Sequence, residues 1–152
     1  MIPWSLVVFL LILAWAFWTF MRRRTPSKPN LGIVIGILHN ISYNQKLIEA
    51  RMSNNQTGKK FKIYNWKTNK EKMEFLDPEL VTKINETFSL TIDFNSRIDS
   101  ARKNKNQSPL TGWELETLKT ALAGIKMSLI TWLKDDLENE NADKKGRGFF
   151  GS

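Results

Sequence analysis

The chain has 152 residues, of which 41% are hydrophobic and 25% are charged, and its formal net charge is +8. This length allows one ordinary domain with an appendage and excludes a large two-domain enzyme. The sequence contains no Cys, which excludes disulfide frameworks, thiolate zinc sites, iron–sulfur clusters and cysteine nucleophiles. The charge is unevenly distributed, because all 23 Lys and Arg residues lie after position 21.

The N-terminal segment has the composition of a membrane span. Residues 2–21 carry no charged side chain, and as a helix they cover about 30 Å, the thickness of the bilayer core. The residues expected at the membrane interfaces are Trp4, Trp18, Arg22, Arg23 and Arg24. The positive-inside rule then predicts a single-pass protein of the cell membrane with its N-terminus outside and its C-terminal domain in the cytoplasm. A cleaved signal peptide is the alternative, but it would have a basic first region and a shorter apolar core.

Three later stretches have the three–four spacing of apolar residues that is typical of amphipathic helices. They cover residues 31–52, 77–103 and 111–137. Asp77 before Pro78 is a favourable start for the second helix, and Thr111 with Glu114 forms the capping-box pattern at the start of the third. The sequence therefore predicts an all-α fold in which an N-terminal transmembrane helix precedes an antiparallel three-helix bundle.

The predicted organisation has four parts. These are a transmembrane anchor over residues 1–22, a basic Pro-containing linker over 23–30, a cytoplasmic helical bundle over 31–139 with a Lys-rich aromatic insert at 53–76, and a disordered tail over 140–152. Residues 61–66 fit either a short strand paired with residues 73–75 or a loop whose aromatic side chains plug one end of the bundle. We favour the loop. In an antiparallel bundle the second long helix returns towards the membrane and brings Arg97, Arg102, Lys103 and Lys105 to the lipid headgroups.

Two charged runs carry most of the remaining information. Residues 59–72 contain six Lys and one Glu, and residues 135–143 contain five acids and no base. We expect the two runs to neutralise each other partly across one end of the bundle. The alternative is an interaction patch formed by Lys59, Lys60, Phe61, Lys62, Tyr64 and Trp66, which would bind anionic lipid, nucleic acid or an acidic partner. The nearby acidic run disfavours nucleic acid.

The sequence contains no pattern that predicts a catalytic residue, a metal site or a cofactor site. His39 is the single His, and a lone His without a Cys or carboxylate partner at ligand spacing is usually structural. A closed polar pocket around His39 with a buried carboxylate beside it would revive the hypothesis of an enzyme. We therefore expect a non-enzymatic protein.

Two stretches resemble a family of small, functionally uncharacterised, single-span prokaryotic membrane proteins with a soluble helical domain. The first is LHNISYN at residues 38–44, with Asn40 where the pattern has an acid, and the second extends from Trp66 through LDPEL at 76–80 to Asn95. The resemblance implies a membrane-tethered helical domain and transfers no catalytic residue. Together with the absence of a chemical motif, it leads us to expect a module that contacts the lipid bilayer and docks or stabilises another membrane-associated protein of unknown identity. The sequence leaves the oligomeric state open.

Overall fold

A computed structural model describes residues 29–53, 58–105 and 109–147, the last five of these by their backbone alone. These residues form four α-helices and no strand: α1 (Pro29–Met52), α2 (Tyr64–Asn69), α3 (Pro78–Lys103) and α4 (Gly112–Arg147), with a 3-10 helix at Lys70–Lys72. The all-α prediction is confirmed, and residues 61–66 contain no strand.

The predicted starts of the two later long helices are confirmed in atomic detail. The Asp77 side chain accepts hydrogen bonds from the backbone N–H groups of Glu79 and Leu80, at 2.9 and 3.3 Å. At α4 the Thr111 N–H donates to Glu114 Oε2 at 2.8 Å, and the Glu114 N–H donates to Thr111 Oγ1 at 3.2 Å. These bonds supply partners to N–H groups that the first turn of a helix leaves free.

Two boundaries differ from the predicted organisation. Helix α1 begins at Pro29, inside the predicted linker 23–30, because a proline suits the first helical position, where no N–H partner is needed. Helix α4 continues to Arg147, inside the predicted tail 140–152. Residues 135–145 contain no Gly or Pro, the two residues that most disfavour a helix interior, and they include two Glu, two Lys, one Leu and one Ala, which favour helix.

The direction of α1 and α3 follows from the segment that connects them. Residues 58–66 run back between the two helices, and successive residues of this segment contact earlier and earlier positions on both. On α1 the contacts run from Arg51 with Lys59, to Asn44 with Lys62, to Gly36 with Asn65. On α3 they run from Arg102 with Gly58, to Asn95 with Phe61, to Asn85 with Trp66. Helices α1 and α3 are therefore parallel, and their C-terminal ends lie together.

This parallel order corrects the predicted antiparallel relation between the first two long helices. The chain runs back along the fold through residues 58–69, so that α3 starts at the same end as α1. The insert is consequently not a plug at one end, but a layer between two helices. The predicted return of Arg97, Arg102, Lys103 and Lys105 to the membrane is also wrong, because these residues lie at the end of the fold opposite Pro29.

Helix α4 packs on both α1 and α3 and runs antiparallel to them. Near its start Glu114 forms an ion pair with Arg97 of α3, and twelve residues later Lys126 Nζ donates to Gln45 Oε1 of α1 at 3.1 Å. Buried apolar residues from all three helices and the insert form one core, whose most enclosed members are Phe88, Ile37, Ile41, Ile48, Met73, Ile84, Leu118, Leu122, Leu129 and Val34.

Within the described ranges, no helix has the length and apolar character needed to cross a membrane. The predicted anchor 1–22 and its interface residues Trp4, Trp18, Arg22, Arg23 and Arg24 lie outside the described residues, as does most of the predicted linker.

Candidate functional site

Two asparagine side chains hold the extended start of the insert between α1 and α3. Asn44 Nδ2 donates to the Lys62 carbonyl at 2.8 Å, and the Lys62 N–H donates to Asn44 Oδ1 at 2.7 Å. Asn95 makes the same two bonds with Phe61, at 2.9 and 2.8 Å. An amide side chain carries one donor group and one acceptor, so each asparagine pairs with one residue as a neighbouring strand would. All four backbone polar groups of Phe61 and Lys62 thereby gain partners.

Helix α2 is attached to the same two helices by further side-chain amides. Asn65 Nδ2 donates to the Gly36 carbonyl of α1 at 2.8 Å and to Asn40 Oδ1 at 3.2 Å. The close approach favours glycine at position 36, because a Cβ atom there would lie 3.2 Å from Asn65 Cγ, which is tighter than most Cβ contacts. The next residue faces α3, where the Trp66 indole N–H donates to Asn85 Oδ1 at 2.8 Å.

The aromatic side chains of the insert belong to the core. Trp66 stacks on Phe88 of α3 with ring centroids 5.4 Å apart and planes 7° from parallel. Phe61 packs near Phe94, with ring centroids 6.5 Å apart. The relative exposures of Phe61 and Trp66 are 3% and 5%, so neither ring can contact a partner.

This burial corrects the predicted patch of Lys59, Lys60, Phe61, Lys62, Tyr64 and Trp66. Four of its six members are exposed, namely Lys59, Lys60, Lys62 and Tyr64, but the two rings most needed for base stacking are enclosed. Two of the exposed lysines already have local partners. Lys60 Nζ pairs with Asp99 Oδ2 of α3 at 2.6 Å, and Lys62 Nζ lies 4.1 Å from the centroid of the Tyr43 ring.

The first half of the Lys-rich run and the acidic run lie at opposite ends of the fold. Residues 59–62 lie beside the C-terminal ends of α1 and α3, close to where α4 begins. The acidic run 135–143 follows Trp132, which packs on Phe75 with ring centroids 5.2 Å apart. From Glu114 to Trp132 the helix rises about 27 Å, several times the Debye length of about 8 Å at physiological salt. Lys59, Lys60 and Lys62 therefore cannot neutralise the acidic run as predicted.

A compact ion pair joins α3 to the first turn of α4. The Arg97 guanidinium donates to both carboxylate oxygens of Glu114 and to the Pro109 carbonyl, the last at 2.8 Å. The bond from Arg97, followed by the backbone N–H bond from Thr111, lowers the pKa of Glu114 from 4.5 to about 2. Glu114 therefore completes the helix cap and anchors α3 with one side chain.

No chemical site surrounds His39. Its side chain is exposed on α1, and none of the described Asp or Glu side chains is buried. The buried polar residues in this part of the chain are Asn40, Asn44, Thr87 and Thr91, and Thr87 and Thr91 donate to backbone carbonyls of their own helix. Among the described residues no group of three or more His, Cys, Asp or Glu side chains is placed to hold a metal ion. Among the described residues, His39 therefore has no buried carboxylate beside it.

Comparison with protein-family models, curated proteins and solved structures found no match to this chain. The resemblance to small single-span membrane proteins thus stays a prediction. Each of its two stretches contributes one asparagine that holds the insert, because Asn44 of the first bonds to the backbone of Lys62 and Asn95 of the second bonds to the backbone of Phe61. The signal that could have identified these contacts is a polar residue within an apolar helical face, as at Asn95.

Proposed function

We propose that the chain is a membrane-anchored, non-enzymatic helical module that docks or stabilises another membrane-associated protein. The three long helices α1, α3 and α4 form its cytoplasmic body, and the apolar residues 1–22 form its anchor. The observation that carries this proposal is the exposure of two large aromatic side chains, Trp113 at 77% and Tyr64 at 74%. Trp and Tyr are enriched among the residues that dominate protein–protein binding energy.

The use of the polar side chains supports the same proposal. Side-chain amides, which are frequent ligands and orienting groups in enzymes, here pair with the protein's own backbone at Phe61, Lys62 and Gly36. The second candidate, a basic-aromatic surface for anionic lipid or nucleic acid, is weaker because Phe61 and Trp66 lie in the core.

The proposal is tested in cells with a photoreactive amino acid placed at Tyr64 or Trp113 of the full chain. Thr120, which is exposed on α4, is the control position. We expect the chain in the membrane fraction after alkaline extraction, with a discrete cross-linked product from position 64 or 113 and none from position 120. A chain released by alkaline extraction would refute the anchor. An absence of cross-linked product at positions 64 and 113 would refute docking through these aromatic residues.

A further inference from the structure

The parallel order of α1 and α3 gathers basic residues from three parts of the chain at one end of the fold. We call this group the distal basic end, and it consists of Arg51, Lys59, Arg102, Lys103 and Lys105. Arg51 Nη2 donates to the Lys59 carbonyl at 2.7 Å, and Arg102 Nη2 donates to the adjacent Gly58 carbonyl. The two guanidinium groups therefore bracket one short backbone segment and fix the arrangement.

The positive charge of this end is largely uncompensated within the described residues. Asp99 is engaged by Lys60, and Glu114 by Arg97. The five members of the distal basic end form no ion pair with a described carboxylate, and Glu49 is the one exposed acid in the last turn of α1. Basic residues at helix C-termini favour the helix dipole, which accounts for Arg51 and Arg102 but not for Lys59 and Lys105, which lie outside the helices.

Lys105 adds an independent observation, because its backbone is left-handed with φ 55°. It follows Asn104, the C-cap of α3, and this position is most often glycine, since a side chain in left-handed conformation costs about 1 kcal/mol. Non-glycine residues in such conformations cluster at functional sites. The chain thus has a cation where the backbone favours glycine.

We propose that the distal basic end is a docking surface for an acidic segment of a protein partner. This inference rests on the proposed function and names the partner's chemistry. With α1 perpendicular to the membrane, its 24 residues place the distal basic end about 36 Å beyond Pro29. The Debye length is about 8 Å, so the anionic lipids of the chain's own membrane do not reach these cations, and the carboxylates of a protein segment can.

A protein partner fits this end better than a nucleic acid does. Trp113 is strongly exposed. It lies near the distal basic end, because its neighbour Glu114 is bound to Arg97 of α3. Single strands are bound by successive stacking rings along a basic groove, whereas Phe61 and Trp66 are buried. One aromatic anchor beside a cluster of cations is typical of a protein interface.

The test measures binding of a labelled Glu-rich peptide to the full chain in nanodiscs of neutral lipid at low ionic strength. The variant Lys59→Gln, Lys103→Gln, Lys105→Gly removes three cations from the distal basic end. The matched control Lys67→Gln, Lys70→Gln, Lys72→Gln removes the same charge from exposed lysines elsewhere. We expect the first variant to raise the Kd about tenfold, since exposed ion pairs contribute about 0.5 kcal/mol each, and the control to change it less than about twofold.

Three results would overturn the inference: no binding of the Glu-rich peptide, equal weakening by both variants, or tighter binding of a single-stranded oligonucleotide than of the peptide. Thermal unfolding excludes misfolding, because Lys105→Gly alone relieves backbone strain and should raise Tm while it weakens binding. The in-cell cross-links at Tyr64 and Trp113 separate the two proposals. If they persist while the peptide fails to bind, the proposed function stands and the acidic partner is wrong.

Discussion

Replacing Asn44 by Ala removes two hydrogen bonds that hold the insert against α1. Asn44 is 0% exposed, and its amide both donates to and accepts from the backbone of Lys62, at 2.8 and 2.7 Å. The substitution leaves a backbone N–H and a carbonyl without these partners. An orphaned buried polar group costs about 1–3 kcal/mol, and the Lys62 backbone is only partly buried, so each group falls in the lower half of that range. We expect a loss of about 3 kcal/mol.

The assay is urea unfolding of the full chain in detergent micelles, followed by far-UV circular dichroism. The control is Asn69→Ala, which removes one hydrogen bond, from Asn69 Nδ2 to the Asn65 carbonyl at 2.8 Å, on a half-buried residue. This variant should lose no more than about 1 kcal/mol. If Asn44→Ala is as stable as the control, the paired amide does not hold the insert and the reasoning fails.

Amide hydrogen exchange locates the same effect. The Lys62 N–H donates to Asn44 and the Phe61 N–H donates to Asn95, so their protection depends on those two side chains. Asn44→Ala should increase exchange at residues 61–62 before it does so in α3. The double variant with Asn95→Ala should cost less than the sum of the single changes, because the first loss already releases the shared segment.

Three further predictions concern single substitutions in the described fold. Glu114→Gln should lower Tm above pH 4.5, and this difference from the wild type should shrink as the pH falls towards 2, because the folded-state pKa of Glu114 is lowered to about 2; a difference that does not change with pH would contradict it. Gly32→Ala should raise Tm, since nothing lies near its Cβ position and Ala favours helix by about 1 kcal/mol. Gly36→Ala should instead lower Tm, because its Cβ would lie 3.2 Å from Asn65 Cγ, and an increase like that of Gly32→Ala would refute the close contact.

Local features of the fold could be predicted from the sequence. The cap at Asp77 and the capping box at Thr111 and Glu114 involve residues at most three positions apart, so their geometry is determined by spacing. The apolar spacing likewise predicted the core faces of the three long helices, since Ile41, Phe88 and Leu122 are all buried.

The direction of α3 could not be predicted in this way. An amphipathic face specifies which side of a helix is buried, but the same face fits a parallel or an antiparallel neighbour. The direction depends on the return of residues 58–66, which have no apolar period. Side-chain bonds from Asn44 and Asn95 to the backbone determine that return. Such bonds connect residues 18 and 34 positions apart, and spacing rules do not extend over these separations.

The direction of α3 also changes what the net charge of +8 means. In an antiparallel arrangement the basic residues 97–105 would lie with Arg22, Arg23 and Arg24 at the predicted bilayer. The positive charge would then help to orient the protein in the membrane. In the parallel arrangement the same residues lie at the opposite end, while the antiparallel α4 brings the acidic run 135–143 back towards the end where α1 begins. The anchor that we propose for residues 1–22 would then join the body near its acidic end, and the uncompensated cations lie at the other end. If α1 stands perpendicular to a membrane that contains the proposed anchor, these cations lie about 36 Å from the headgroups and contribute little to membrane attachment, which is why we propose that they bind a protein partner.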